Sequence, residues 1–443
     1  MKERSQEIGM GSVLHFPCDI RYLHYANRLL AISVETANWI VLPNEHYVVW
    51  LNELRSGKTV GEVLSTLGND SDRQSFLRLL SAIIARRFAG LESEPKREWV
   101  EGYKMLNIYL TNACNLSCPH CFMNAGKKLS NELTEKEWKQ LLSAFSAQGG
   151  KAVTITGGEP LMNSGFADIV KSAHKDGLQI TVLTNGILWT DSMIDELSPL
   201  LSEVQVSIDG PDDISNGKVR KVGIFDRLVN TVIRFAANGV RVSVATTFTE
   251  ANLDAADGYA AFVTSTNEAT GNKVAFKLTK KILPGRETHY SEEQNRQYES
   301  RIRAIEEQIA PYDKYEAFMD GHSPNLASRN CGFGGLSIAA DGEVYFCNRV
   351  LEVVSQGNVK DHPITYFLRK GEQAHFDTGV DQVIPCRDCA LKYICGGGCR
   401  IDEYDFKGRE WTKGQTLRQL KCMGPNENLL KMMVESYEYQ YSF

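Results

Sequence analysis

The stretch "MLNIYLTNACNLSCPHCFMNAGK", residues 105–127, runs from an apolar, strand-length segment straight into Cys114, Cys118 and Cys121. A metal whose shell is closed by protein normally takes four ligands, as structural zinc does. Three thiols describe a site with one position kept open. Pro119, between the second and third, breaks a regular helix, so the cysteines belong to a loop wrapped around a centre.

Strand-like runs continue beyond this one. "MLNIYLT", "AVTITG", "QITVLT", "EVQVSI", "RVSVAT" and "VAFKLT" alternate with helical patterns such as "FADIVKSAHKDG" and "FDRLVNTVIRFAANG". Strand, helix, strand at this spacing means parallel βα units, and six of them suit an α/β fold: a partial (β/α)6 TIM barrel or an open doubly wound sheet. In either, chemistry gathers at the C-terminal ends of the strands. Those ends hold the three cysteines, then "GGEP" at 157–160, Asn185 and Gly186, Ser207 and Asp209, Thr246 and Thr247, and "PGR" at 284–286. Turns favour several of these residue types in any case.

Ahead of the barrel, residues 13–91 offer the strands "LLAIS" and "WIVLP" and three helical patterns, "EHYVVWLNELRSG", "TVGEVLSTLG" and "SDRQSFLRLLSAIIARRF". Few strands and three short helices suggest a small winged-helix domain. A charged segment with Pro95 follows, and residues 92–103 read as a linker.

At 443 residues the chain calls for two or three domains. A net charge of -6 argues against a nucleic-acid partner. No apolar stretch approaches the roughly 20 residues of a membrane span, and the first residues contain no signal-peptide core. A cytoplasmic location is the expectation. Eleven cysteines in a reducing compartment are metal ligands or catalytic thiols before they are disulfides. Cys18 stands alone and reads as a small core residue; seven more fall between Cys331 and Cys422.

Three thiolates on a four-iron cluster leave one iron free to chelate a small molecule. Cys114-x3-Cys118-x2-Cys121 resembles the signature of radical S-adenosylmethionine (SAM) enzymes, whose open iron binds the amino and carboxylate groups of SAM. The resemblance implies reductive cleavage of SAM to a 5′-deoxyadenosyl radical that abstracts hydrogen from carbon. It also implies that Gly157, Gly158 and Glu159 meet the SAM ammonium, that Asn185 lies among the cofactor contacts, and that Ser207 and Asp209 meet its ribose or methionine moiety. Arg220, in "KVRKVGIFD", is similar to an arginine that pairs with the SAM carboxylate, although Lys221 stands where the family segment usually has glycine.

Cys331-x10-Gly342-x4-Cys347, followed by Cys386-x2-Cys389-x5-Cys395-x3-Cys399 and Cys422, resembles the seven-cysteine SPASM domain of peptide-modifying radical SAM enzymes. That likeness implies one auxiliary cluster on Cys386, Cys389, Cys395 and Cys422 and another on Cys331, Cys347 and Cys399. With the SAM-binding cluster, it makes three 4Fe-4S clusters. The second auxiliary cluster, with three cysteines, is one short of a full set and is expected to have an open iron. The front segment "LLAISVETANWIVLPNEHYVVWLNELRSGKTVGEVL" resembles the PqqD-like element that holds the leader of a ribosomally made precursor. The expected units are a leader-binding domain at 13–91, a barrel at 104–322 and a SPASM domain at 323–430.

Together these resemblances imply a maturase of a ribosomally synthesised peptide, supplied with electrons by a flavodoxin or ferredoxin-type donor. Thioether formation at cysteine is the preferred outcome, with an auxiliary cluster taking the second electron. Carbon-carbon crosslinking, peptide epimerisation and formylglycine formation on a sulfatase are the alternatives within the family. A non-enzymatic iron-sulfur regulator with a winged helix is the alternative outside it. No catalytic acid or base is singled out among the many carboxylates.

Overall fold

The computed structural model describes residues 8–92, 98–99, 104–271, 273–309, 313–405, 414, 416–422, 424 and 426–441. Most of the expected linker, 92–103, lies outside the described residues. The front segment forms an antiparallel meander, β1 (Ile20–Tyr25), β2 (Arg28–Ser33) and β3 (Asn38–Leu42), followed by α1 (Glu45–Arg55), α2 (Val60–Ser65) and α3 (Asp70–Ala85). Each helix starts where a polar side chain takes an orphan amide: Asn44 accepts from the His46 N–H, Thr59 forms a capping box with Glu62, and Asn69 accepts from the Asp72 N–H. The sequence reading missed β1, whose "IRYLHY" lacks a clean apolar alternation because it is a half-exposed edge strand.

A short strand, β4 (Glu98–Trp99), precedes six parallel strands: β5 (Met105–Tyr109), β6 (Ala152–Thr156), β7 (Gln179–Thr184), β8 (Glu203–Ser207), β9 (Arg241–Thr246) and β10 (Val274–Leu278). Helices α4 (Glu135–Ala147), α5 (Phe166–Lys175), α6 (Asp191–Leu197), α7 (Asp213–Val219), α8 (Phe225–Ala237) and α9 (Tyr259–Thr270) lie between them. The strands pair in chain order, as a partial barrel requires. One residue set on each strand, including Leu106, Ile108, Val153, Ile155, Ile180, Val182, Val204 and Val206, is fully buried with Trp138, Phe145, Ile169 and Phe235 of the helices. The intervening Asn107, Thr154, Thr181 and Gln205 are polar and half-buried on the other face. Each apolar side chain contributes about 1.5–3 kcal/mol by burial, so a slip of one residue would expose the whole set and the register is fixed.

After α10 (Glu292–Ile309) and α11 (Asp313–Gly321), β11 (Leu326–Ala327) pairs with β4. Then β12 (Leu336–Ile338) joins the barrel sheet parallel to β5, with β13 (Val344–Tyr345) antiparallel beyond it. Helices α12 (Ile364–Asp377), α13 (Lys392–Cys395) and α14 (Glu427–Tyr441) follow. The C-terminal region is divided between two cores. Phe333, Leu336, Val344, Phe346 and Phe367 pack with the barrel, whereas Val380, Leu391, Tyr393, Tyr404 and Leu417 pack with the front sheet. Met319 of α11, within the span expected for the barrel, also joins the front core, as do Met433 and Tyr437 of α14. Trp39 of β3 gives its indole N–H to the Met433 carbonyl and meets the Phe318 ring edge-on, so β2 and β3 are buried on both faces. Cys18 is exposed in the bend before β1 and is not the core residue expected.

Candidate functional site

The Cys114–Cys121 loop is held at its root and along its back. The Cys114 N–H bonds to Gly126 O at 2.9 Å, the Gly126 N–H to Asn112 O at 2.9 Å, and the Glu132 carboxylate accepts from Thr111 Oγ1 and the N–H groups of Asn112 and Leu129. The "PGR" loop after β10 straps the far side. There the Arg286 N–H reaches Cys121 O at 3.1 Å and the Glu287 N–H reaches Pro119 O at 2.8 Å. "GGEP" lies against the loop's root, with the Gly158 N–H on Thr111 O and the Glu159 N–H on Ala113 O, both at 2.8 Å. A methyl group on Gly157, whose φ is +143°, would strike Thr111 O, and one on Gly158 would strike Ala113 O. The glycines therefore permit backbone-to-backbone contact between two loops.

Four ionisable side chains converge beside the three thiols. Asp209, fully buried at the end of β8, is met at Oδ2 by Arg220 Nε at 2.6 Å and by His120 Nε2 at 3.1 Å, and accepts the Thr247 N–H at Oδ1. Neither of the first two contacts has hydrogen-bond alignment. Burial opposes its charge, but Arg220 and His120 outweigh that and hold its carboxyl well below the usual range. Arg220, at the C-terminus of α7, bears on the Cys118 and Cys114 sulfurs. Among the described residues its two terminal nitrogens bond no protein group. Glu159 accepts from Thr184 Oγ1 and the Asn185 N–H at 2.7 Å each, yet burial pushes its carboxyl up to about 7.

The remaining cofactor candidates differ. Ser207 is half-buried, and among the described residues its hydroxyl bonds no protein group. Asn185 spends its side chain on Asn115 Oδ1, at 2.7 Å, and on the Ile187 N–H, so it braces the cysteine loop. His120, Asn115, Thr184 and Glu132 were not singled out from sequence. His120 had a legible signal, its place inside Cys118-x2-Cys121.

The cysteines fall into three neighbourhoods. Cys121 bears electrostatically on Cys114 and Cys118; Cys331 and Cys399 bear on Cys347; Cys395 and Cys422 bear on Cys386, and Cys422 also on Cys389. Burial pushes up the thiols of Cys114, Cys118, Cys386, Cys389, Cys395 and Cys399, and that of Cys347 to about 11. A bound metal reverses that preference because the thiolate is the ligand. Among the described residues no three ligating side chains close on a single metal ion. Three thiolates that each take a different iron of one cluster do not need to.

Two observations fit anionic clusters and a zwitterionic ligand. Arg400, fully buried between Cys399 and Ile401, gives its N–H groups to the carbonyls of Thr378, Gly398 and Gly396, and among the described residues no carboxylate touches it. A buried cation without a countercharge costs several kcal/mol, and a cluster beside Cys386, on which Arg400 bears, supplies that countercharge. At the first loop, a buried guanidinium with free terminal nitrogens and a buried carboxyl raised by desolvation ask for an anion and a cation. The carboxylate and ammonium of SAM are such a pair.

Residues 108–258 match the Radical SAM superfamily, and residues 330–390 match the SPASM iron-sulfur cluster-binding domain. The chain is a radical SAM enzyme whose α/β barrel is followed by a SPASM domain, and it uses SAM and 4Fe-4S clusters. This sets aside the reading as a non-enzymatic regulator. Sporulation killing factor maturation protein SkfB of Bacillus subtilis is 35% identical over 148 residues, 33% of this chain and 36% of SkfB, so the match spans about a third of that relative. Mycofactocin maturase MftC of Mycolicibacterium smegmatis is 27% identical over 318 residues, 67% of this chain and 77% of MftC. Among solved structures, Streptococcus suis SuiB bound to SAM superposes with a TM-score of 0.50 at 16% identity, over 88% of this chain and 96% of SuiB.

Proposed function

We propose that this enzyme is a cytoplasmic maturase that modifies a ribosomally synthesised precursor peptide, joining a cysteine sulfur to a carbon of the same peptide as a thioether. Three 4Fe-4S clusters are assigned to Cys114, Cys118 and Cys121, to Cys331, Cys347 and Cys399, and to Cys386, Cys389, Cys395 and Cys422. When bound, the first cluster and SAM supply hydrogen-atom abstraction from an unactivated carbon. The chain's own residues hold the cofactor. Arg220 offers its free fork to the SAM carboxylate, Glu159 its carboxylate to the ammonium, and Ser207 an unspent hydroxyl. Asp209 keeps Arg220 in place, and Gly157, Gly158 and Asn185 set the loops that form the pocket wall.

The observation that carries the peptide reading is the front sheet's outer edge. Among the described residues β1 pairs only with β2, leaving one edge for an added strand, the mode by which an extended leader docks. Arg21 on β1 donates to Asp388 O at 2.8 Å, so a strand added there would lie near the Cys386–Cys389 loop. The likeness to SkfB and MftC, both named as maturation enzymes, supports the same reading. No helix among the described residues is long and apolar enough to cross a membrane. A flavodoxin or ferredoxin-type protein is the proposed electron donor.

Forming each thioether removes one hydrogen from carbon and one from sulfur. Anaerobic incubation of the reconstituted enzyme with SAM, reductant and candidate cysteine-containing precursors, read by high-resolution mass spectrometry, is expected to show loss of two hydrogens per crosslink. Iodoacetamide should then label one thiol fewer. Loss of two hydrogens with every thiol still alkylated would replace the thioether by a carbon-carbon bond. An unchanged mass with deuterium uptake from heavy water would replace it by epimerisation.

A further inference from the structure

Beside Cys331, Cys347 and Cys399 stands a charged network that neither SAM binding nor peptide docking uses. Arg349 spends all five of its side-chain N–H donors. Nε and Nη2 go to Glu352, Nη2 and Nη1 to Asp402 at 3.1 and 2.8 Å, and Nη1 also to Cys399 Sγ at 3.6 Å. Its main-chain N–H donates to Cys347 Sγ at 3.5 Å. Two of the three sulfurs thus receive an N–H from a single residue. Lys281, from the loop after β10, completes the network with a 2.7 Å ion pair to Asp402.

We propose that Arg349 sets the reduction potential of the cluster on Cys331, Cys347 and Cys399, holding it above the value that cluster would have without the guanidinium. The inference rests on the assignment of that cluster under the proposed function. Reduction adds negative charge to a cluster, so N–H groups on its sulfurs and a nearby cation stabilise the reduced state. Water does little to screen the effect, because the side chains of Arg349 and Glu352 are 15% exposed and that of Asp402 19%. The two carboxylates fix the fork in one orientation, as bidentate arginine–carboxylate pairs do. Two cations, Arg349 and Lys281, balance two anions, Glu352 and Asp402. Removing Arg349 leaves a net negative neighbourhood and one sulfur without its donor, whereas neutralising Asp402 leaves a net positive one. The two changes must shift the potential in opposite directions. A role confined to holding the fold gives no such sign rule.

The test uses full-length, reconstituted protein, poised over a range of potentials and followed by electron paramagnetic resonance, with iron counted. Cys347→Ala identifies the signal by removing it with about four irons. If no signal or iron is lost, the cluster assignment itself fails, independently of the tuning. In Arg349→Met that signal's midpoint is expected to move negative by a tenfold change or more in the one-electron equilibrium, about 59 mV. In Asp402→Asn it should move positive, with the other two clusters unmoved in both. Should Arg349→Met shed the cluster's iron, Arg349→Lys, which keeps the charge and loses the fork, is expected to give a smaller negative shift. A midpoint that stays put in these variants, or moves the same way for Arg349 and Asp402, overturns the proposal.

Discussion

Arg220 and Arg349 each lie beside a set of three cysteines, each is nearly buried, and each is paired with an aspartate, yet they are used in opposite ways. Arg220 meets Asp209 through Nε at 2.6 Å, and among the described residues its terminal nitrogens make no hydrogen bond to protein. Arg349 spends every donor, on two carboxylates and a sulfur. A pocket that must receive a ligand keeps polar valence in reserve, because a donor already satisfied gains nothing from a new partner. Arg349 keeps none. The loop after β10 touches both places: Arg286 and Glu287 hold the first cysteine loop, and Lys281 holds Asp402. The reserve at Arg220 is thus a property of the site and not of looser packing.

The largest effect expected from breaking this contrast is at the first loop itself. Cys114→Ala should lose about four irons per chain and all SAM cleavage, with the auxiliary signals intact. Gly158→Ala should resemble it, because the added methyl runs into Ala113 O and pushes the loop's root away; iron analysis with SAM-cleavage assays checks both. Next is the arginine comparison. Arg220→Met should weaken SAM binding by about 10–100-fold, the worth of a hydrogen bond to a charged group at about 1.5–3 kcal/mol, with iron content unchanged. Arg349→Met should leave SAM affinity within about twofold. Equilibrium dialysis on the two variants side by side decides it, and equal losses would erase the distinction between reserve and saturation.

How much of this was legible in sequence depends on the range over which each feature is encoded. The six barrel strands were readable because each is a short apolar run and most alternate Leu, Val or Ile with polar residues, as in "AVTIT" and "EVQVS". The three added residues of β12, "LSI", carry no such signal; only the exposed side of β5 makes them a strand. The first cysteine group was readable through spacing, whereas the division of the later seven came only from the resemblance, since Cys399 sits four residues from Cys395 yet bears on Cys347. At the first loop Glu159, Asp209 and Arg220 were named through the resemblance, but the charges beside Cys347 and Cys399 were not readable. Arg349 meets Asp402 across 53 residues and Lys281 meets it across 121, in a chain with 49 basic and 55 acidic side chains to choose from. Arg400, adjacent to Cys399, and Arg349, two residues after Cys347, stand where position could have flagged them. The division of the C-terminal region between two cores was equally hidden, since Phe333 and Val380 are alike in sequence and differ only in which sheet they meet.

The smallest predicted effect sharpens the same contrast through pH. Glu159 is the carboxyl counterpart of Arg220's reserve: its oxygens accept from Thr184 and Asn185, but burial leaves its proton half lost near pH 7. The SAM ammonium favours the ionised form, so SAM must displace a proton below that pH and not above it. Affinity is therefore expected to fall as pH falls through about 7, by roughly tenfold between pH 8 and pH 6, at up to 1.4 kcal/mol per unit. The stability of the protein without SAM runs the other way. A carboxyl raised in the folded state holds a proton that the unfolded chain releases, so its contribution is complete below its unfolded pKa and is lost as pH rises through about 7. The pH that best prepares the pocket for SAM is thus the one at which the empty pocket is least stable. Glu159→Gln should flatten the affinity profile over this interval while leaving cluster iron in place. A pH-independent affinity in the wild-type enzyme would place the ammonium elsewhere and return Glu159 to bracing the loops after β6 and β7.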